Sequence, residues 1–112
     1  HVAGDECLKR VAGALSGLFR RPGDLLGRYG GEEFTAVLAE TPLSAGVALA
    51  EGARLAVERL AIQHRDSPAS PHVTISVGAA SGCSGDFTAL LSAADAALYR
   101  AKQGGRNRVE SA

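Results

Sequence analysis

Gly30-Gly31-Glu32-Glu33-Phe34 sets two glycines beside two carboxylates. A Gly-Gly pair tolerates the positive φ angles of a tight hairpin turn and lets a ligand come close to the backbone. The carboxylates next to it are then expected at an exposed tip. Magnesium bound together with nucleotide phosphates takes one or two protein carboxylates, the phosphates and waters completing its shell. Adjacent residues of a strand point to opposite faces, so Glu32 and Glu33 are not expected to face one ion together. Taken by itself, a pentapeptide of this kind reads more readily as a solvated acidic turn.

Other charged residues also have an ordinary explanation when taken singly. Lys102 and Arg106 follow a stretch of helical spacing, and cations near a helix C-terminus are favoured by its dipole. Arg21-Pro22-Gly23-Asp24 suits a helix-terminating turn. His64 and His72 lack the spacing of metal ligands, as do Cys7 and Cys83, and the two cysteines read as free thiols of a reducing cytosol. Phe19, Phe34 and Phe87 read as core. The chain has no G-x-x-x-x-G-K-[ST] loop, which disfavours P-loop nucleotide chemistry.

The elements that must position these groups follow from apolar spacing. Leu8, Val11, Ala12, Leu15, Leu18 and Phe19 predict a helix from about Gly4 to Phe19, ended by Pro22-Gly23. Arg28 to Leu38 predicts strand, turn, strand around Gly30-Gly31. Ser44 is expected to cap a second helix reaching Leu60, with Val47, Ala48, Leu55 and Ala56 buried. Residues 64–71 and 81–86 predict loops, and Val73, Ile75 and Val77 alternate as in a strand with one face inward. Phe87, Leu90, Leu91, Ala94, Leu98 and Ala101 define a third helix, closed by Gly104-Gly105, with a short strand through Arg108 and Val109. The order α-β-β-α-β-α-β predicts an α+β fold, helices packed on a mostly antiparallel sheet.

The bulk properties agree with one small domain over residues 1–112. Apolar residues make up 46% of the 112, enough for a core. Twelve basic residues balance twelve acidic ones, so the formal net charge is zero. That argues against a general nucleic-acid surface or a polybasic membrane surface. No apolar run is long enough to span a bilayer, and no signal peptide is visible. The first residue is His1 and there is no methionine, so a fragment, a processed chain or part of something longer is expected.

Four segments in order carry a family resemblance. Gly30 to Phe34 is similar to the signature of GGDEF domains in its GGEEF form, preceded by Arg28-Tyr29 as is common there. His1-Val2-Ala3-Gly4-Asp5 resembles the family's H-x-x-G-D segment, and Val73-Thr74-Ile75-Ser76-Val77-Gly78 resembles its V-T-x-S-x-G strand. The run from Ala94 to Asn107 closely resembles the ending A-D-x-A-L-Y-x-A-K-x-x-G-R-N. In addition, Arg21 to Asp24, five residues ahead of Gly30, resembles the family's inhibitory R-x-x-D site.

The resemblance implies a diguanylate cyclase, which condenses two GTP to cyclic di-GMP and two pyrophosphates, with magnesium or manganese, as a homodimer. It implies a nucleotidyl-cyclase or palm-like fold with a ferredoxin-like βαββαβ core, cytoplasmic, with a sensory or regulatory domain upstream. The family's first central strand, which carries a metal-binding Asp, and the Asn-bearing stretch after it have no counterpart here. The segment alone is therefore expected to be inactive. By the same resemblance Glu32 holds the metal, Glu33 assists at the metal or the reacting hydroxyl, and the Gly30-Gly31 backbone lies by the phosphates. Asp5 accepts from the guanine edge, while Lys102 and Arg106 clamp phosphate. Arg21 and Asp24 bind product. Some relatives carry a supporting arginine where this chain has Gly52, and Arg54 or Arg59 would substitute for it. The alternative is an inactive GGDEF module that senses cyclic di-GMP or GTP; a plain interaction domain would leave four motifs to coincidence.

Overall fold

Apolar spacing accounts for the three helices and the hairpin, though not for every boundary. The computed structural model describes residues 2–20, 22, 24–30, 33–63, 72–82 and 86–112, and of residues 2–4, 25, 27–30 and 33 the backbone alone. The elements are α1 (Val2–Ser16), β1 (Leu25–Gly30), β2 (Glu33–Val37), α2 (Leu43–Arg59), β3 (Val77–Ala79), α3 (Phe87–Gln103) and β4 (Val109–Ser111). This is the α-β-β-α-β-α-β order that the sequence predicts. Contacts divide the chain into two units, His1–Glu40 and Thr41–Ala112. No helix among the described residues is long and apolar enough to cross a membrane.

In the first unit, α1 buries Val11 and Leu15, four residues apart and so on one face. The helix ends at Ser16 rather than Phe19, but the next residues stay tied to it. Leu18 N–H donates to the Leu15 carbonyl at 3.0 Å, and Phe19 N–H to the same oxygen at 3.2 Å. β1 and β2 form the expected antiparallel hairpin, with Leu25 opposite Val37 and Arg28 opposite Phe34. The register then shifts, and Gly30 pairs with Glu33. One extra residue on β1 makes this a β-bulge, a device that bends a strand and re-aims the residues beyond it.

In the second unit, α2 and α3 both pack on the pair β3–β4. That pair is parallel, Val77 opposite Val109 and Ala79 opposite Ser111. The mostly antiparallel expectation therefore holds for the hairpin and not here. The reason is connectivity: α3 carries the chain back across, so β4 runs in the same direction as β3. The strand expected over Val73 to Val77 lies later, at Val77–Ala79. Before it, Val73 N–H donates to the Ile62 carbonyl at 2.7 Å, and Gln63 and His72 form an isolated antiparallel bridge. Residues 73–80 are all half-buried, so the expected inward and outward alternation does not separate two faces.

The buried residues of this unit are small: Ala50, Ala53 and Val57 of α2, and Ala97 and Ala101 of α3. On α2 this shifts the buried stripe from the expected one, since Val47, Leu55 and Ala56 are half-buried and Ala48 is exposed. Nearly every face of α2 carries apolar residues, so hydrophobicity alone does not set its phase. Small side chains let backbones approach closely, and Gly78 shows how closely. A Cβ there would lie 2.8 Å from Leu98 Cα and nearer still to the Ala94 carbonyl oxygen and the Leu98 nitrogen. On α3, the expected core residue Phe87 is instead 54% exposed.

Helix starts also differ in how they are made. Pro42, not Ser44, is the N-cap of α2, and its carbonyl accepts from Gly46 N–H at 3.0 Å. Its extended backbone (φ −68°, ψ 158°) leads straight into the first turn and leaves Ser44 inside the helix. At α3 the cap is a side chain: Asp86 Oδ1 accepts from Ala89 N–H at 3.0 Å.

Candidate functional site

In the first unit, Gly31, Glu32 and Arg21 lie outside the described residues, as does the side chain of Glu33. Gly30 and Glu33 are the last backbone pair of the hairpin among the described residues. Asp24 is half-buried directly before β1.

Asp5 is exposed in the first turn of α1, where the helix dipole favours a carboxylate. It lines an open pocket of about 260 Å³ with Leu8, Lys9, Ala12 and Phe34. Asp5, Leu8, Lys9 and Ala12 share one helical stripe by their i, i+3, i+4, i+7 spacing. Phe34 comes from β2, next to the acidic turn. A carboxylate at the rim of an apolar, partly aromatic wall suits a flat ring that presents N–H donors. The expectation of Phe34 as core is therefore corrected: it is half-buried and lines this pocket. Lys9, four residues after Asp5, is a second pocket residue that sequence reasoning missed, though its helical spacing was a usable signal.

In the second unit, Lys102 stands in the last turn of α3 and Arg106 just beyond it, both exposed. Neither side chain makes a hydrogen bond or an ion pair among the described residues. The turn between them is built by two backbone bonds. Arg106 N–H donates to the Ala101 carbonyl at 2.9 Å, and Gly105 N–H to the Lys102 carbonyl at 3.4 Å. This is a Schellman closure, with Gly105 at a positive φ of 120°. The chain then keeps positive φ through two non-glycine residues, Arg106 (64°) and Asn107 (46°). Left-handed backbone costs an ordinary L-residue about 1–2 kcal/mol, least where a short polar side chain bonds locally.

Asn107 is anchored by side-chain bonds. Its Oδ1 accepts from Arg54 Nη1 at 2.9 Å, and its Nδ2 donates to Glu58 Oε2 at 2.7 Å. Arg54 Nε donates to Glu51 Oε1 at 2.9 Å, its Nη2 donates to the same oxygen, and Nη1 lies 3.7 Å from Glu58 Oε2. The hydrogen bond from Arg54 holds the Glu51 carboxyl below its usual range, and the same bond raises the guanidinium. Arg54 is only 16% exposed, with its guanidinium bonded within this network. Arg59 is exposed. Beyond Asn107, Arg108 Nε donates to the Arg106 carbonyl at 3.3 Å, and Arg100 Nη2 donates to the Ser111 carbonyl at 2.7 Å.

The structure therefore places an acceptor pocket in the first unit and a two-cation turn in the second. Among the described residues no cluster of three His, Cys, Asp or Glu could hold a metal ion. The family model for "Diguanylate cyclase, GGDEF domain" matches residues 1–108. The chain is 41% identical over 113 residues to diguanylate cyclase DgcM of Escherichia coli (strain K12), covering all of this chain and 26% of DgcM. It thus spans about a quarter of that relative's length. The active GGEEF domain of a Vibrio cholerae diguanylate cyclase superposes with a TM-score of 0.80 at 34% identity, over 99% of this chain and 69% of that one. The GGDEF domain of DgcB from Caulobacter crescentus, in complex with c-di-GMP, gives 0.86 at 32%, over 99% and 66%.

Proposed function

This chain belongs to the GGDEF domain family, and on that premise we propose that residues 1–112 are part of the catalytic domain of a cytoplasmic diguanylate cyclase, and inactive as an isolated segment. Two GTP are condensed to cyclic di-GMP. Each 3′-hydroxyl attacks the α-phosphorus of the other nucleotide, forming a phosphodiester bond as the α–β anhydride bond breaks and pyrophosphate leaves. One domain holds half of the reacting groups, so the working unit is a homodimer. Holding the two nucleotides face to face and neutralising their charge accounts for most of the acceleration.

The observation that carries this reading is the glycine hairpin, its ladder closing at Gly30 and Glu33, within a chain that matches the family over 1–108. The carboxylate oxygens at that turn, with no thiol or imidazole nearby in sequence, fit a hard divalent cation, magnesium or manganese. Glu32 would hold it, with Glu33 assisting, and once bound it supplies charge neutralisation at the triphosphate. Asp5 accepts from guanine N–H groups in the pocket shared with Phe34, and adenine leaves that acceptor unpaired. Gly30 and Gly31 let the phosphates approach the backbone, and Lys102 and Arg106 donate to them. Arg21 and Asp24 bind the product and restrain turnover. An upstream regulatory domain sets how often two such domains meet.

The test uses the whole protein that carries this chain, incubated with GTP and magnesium and chromatographed for cyclic di-GMP and pyrophosphate. Two pyrophosphates per cyclic di-GMP, formed at a rate that rises more than proportionally with protein concentration, is the expected result. Absence of product, together with cyclic di-GMP binding that Arg21→Ala abolishes, would instead make the domain a sensor.

A further inference from the structure

Arg106 lies where the chain leaves α3 for β4, and its positive φ fixes the direction in which its side chain departs. From α3, among the described residues, that angle is held by one backbone bond, Arg106 N–H to the Ala101 carbonyl. The next residue, Asn107, is held much more firmly. It is half-buried, bonded through both ends of its amide, and tied to residues 49 and 53 positions earlier on α2.

We infer that Asn107, gripped by Arg54 and Glu58, is a positioning residue that aims the Arg106 guanidinium at a nucleotide phosphate; the inference rests on the function proposed above. The grip is orientation-specific. Arg54 has only donors, so it requires the carbonyl end of the amide, and the Glu58 carboxylate has only acceptors, so it requires the amino end. A primary amide satisfies both at once. Glu51 completes the arrangement by accepting Arg54 Nε while Nη1 reaches Asn107. The network therefore converts polar contacts on α2 into a fixed backbone angle at the phosphate-binding end of α3. The Arg106 side chain takes no part in the network, which leaves it open to a ligand.

The polarity of the grip gives a test. Asn107→Asp keeps the shape and the acceptor for Arg54 but sets a second carboxylate against Glu58. Adding Glu58→Gln restores a donor to that carboxylate and returns the net charge to its original value. Binding of 3′-deoxy-GTP, which lacks the attacking hydroxyl, is measured by calorimetry with magnesium on the whole protein. Asn107→Asp is expected to weaken binding about tenfold, the order of one charge-assisted hydrogen bond. The exchanged pair N107D/E58Q is expected to recover most of that loss. In an Arg106→Ala background Asn107→Asp is expected to change nothing further, because the residue it acts through is gone. Should N107D fail to fold, Asn107→Gly keeps the left-handed backbone without the amide and carries the same cycle.

A loss of affinity that is the same with and without Arg106 overturns the inference while leaving the cyclase reading intact. So does a lowered Tm with unchanged affinity, the outcome of a purely structural network. A wild-type protein with no affinity for either 3′-deoxy-GTP or GTP overturns both.

Discussion

Gly30-Gly31 in the hairpin and Gly104-Gly105 after α3 are both pairs of glycines beside charge, carboxylates in the first case and cations in the second, and the backbone around them is secured in different ways. The hairpin relies on its ladder: antiparallel pairs run up to Gly30 and Glu33, with a bulge just before the turn. The turn after α3 has a backbone closure at Gly105, then two left-handed residues that are not glycine, steadied by side chains from α2. Glycine is sufficient where the backbone itself must come close to a ligand. A turn that must send out an arginine from a left-handed residue needs its neighbour held as well.

Substitutions in the second unit would sharpen or break this contrast, and the largest effect is expected at Gly78. Gly78→Ala drives a Cβ into the backbone of α3 at Ala94 and Leu98, and the unit is expected to lose about 3 kcal/mol on denaturant unfolding. A loss within experimental error would mean that α3 is free to shift, and the turn at its end could not then be called fixed. Arg106→Gly removes the left-handed penalty and is expected to raise stability by about 1 kcal/mol while weakening GTP binding. A destabilised variant would show that the arginine is not strained there. Gly52, by contrast, is a helical glycine with nothing within 4 Å of where its Cβ would stand. Gly52→Ala is expected to stabilise the fold by about 0.5–1 kcal/mol, seen as a raised Tm.

The smallest effect concerns pH. Arg54 lowers the Glu51 carboxyl from its ordinary value of 4.5 in the folded state. The contribution is therefore present above that value and is lost as pH falls through the lower folded one. Glu51→Gln is expected to lower stability at neutral pH and to remove that part of its fall in acid, so that the two proteins converge at low pH. An acid limb identical in the two proteins would mean that Arg54 is held by Glu58 and Asn107 without help.

Much of this was legible in the sequence, for physical reasons that vary by element. The three helices, the hairpin and the Gly104-Gly105 closure follow from local periodicity and turn chemistry, and each lies close to where those signals put it. The buried face of α2 was not legible, because Ala50, Ala53 and Val57 compete with equally apolar residues on its other sides. β3 lies later than its alternating residues suggest, because its position is set by pairing with β4, on the far side of α3 in the chain. The grip on Asn107 joins residues 53 and 49 apart and leaves no local signature. Phe34 reads as core from its type, and only the placing of β2 beside α1 in the first unit shows it lining the pocket with Asp5.

In the function proposed above, Glu32 and Glu33 beside Gly30-Gly31 carry the chemistry. The most direct measurement is the rate of cyclic di-GMP formation from GTP and magnesium by the whole protein, wild type against Glu32→Gln, with thermal unfolding followed in parallel. A rate lower by about 100-fold or more in the variant, with Tm unchanged, is the expected result. Equal rates in the two proteins would contradict it.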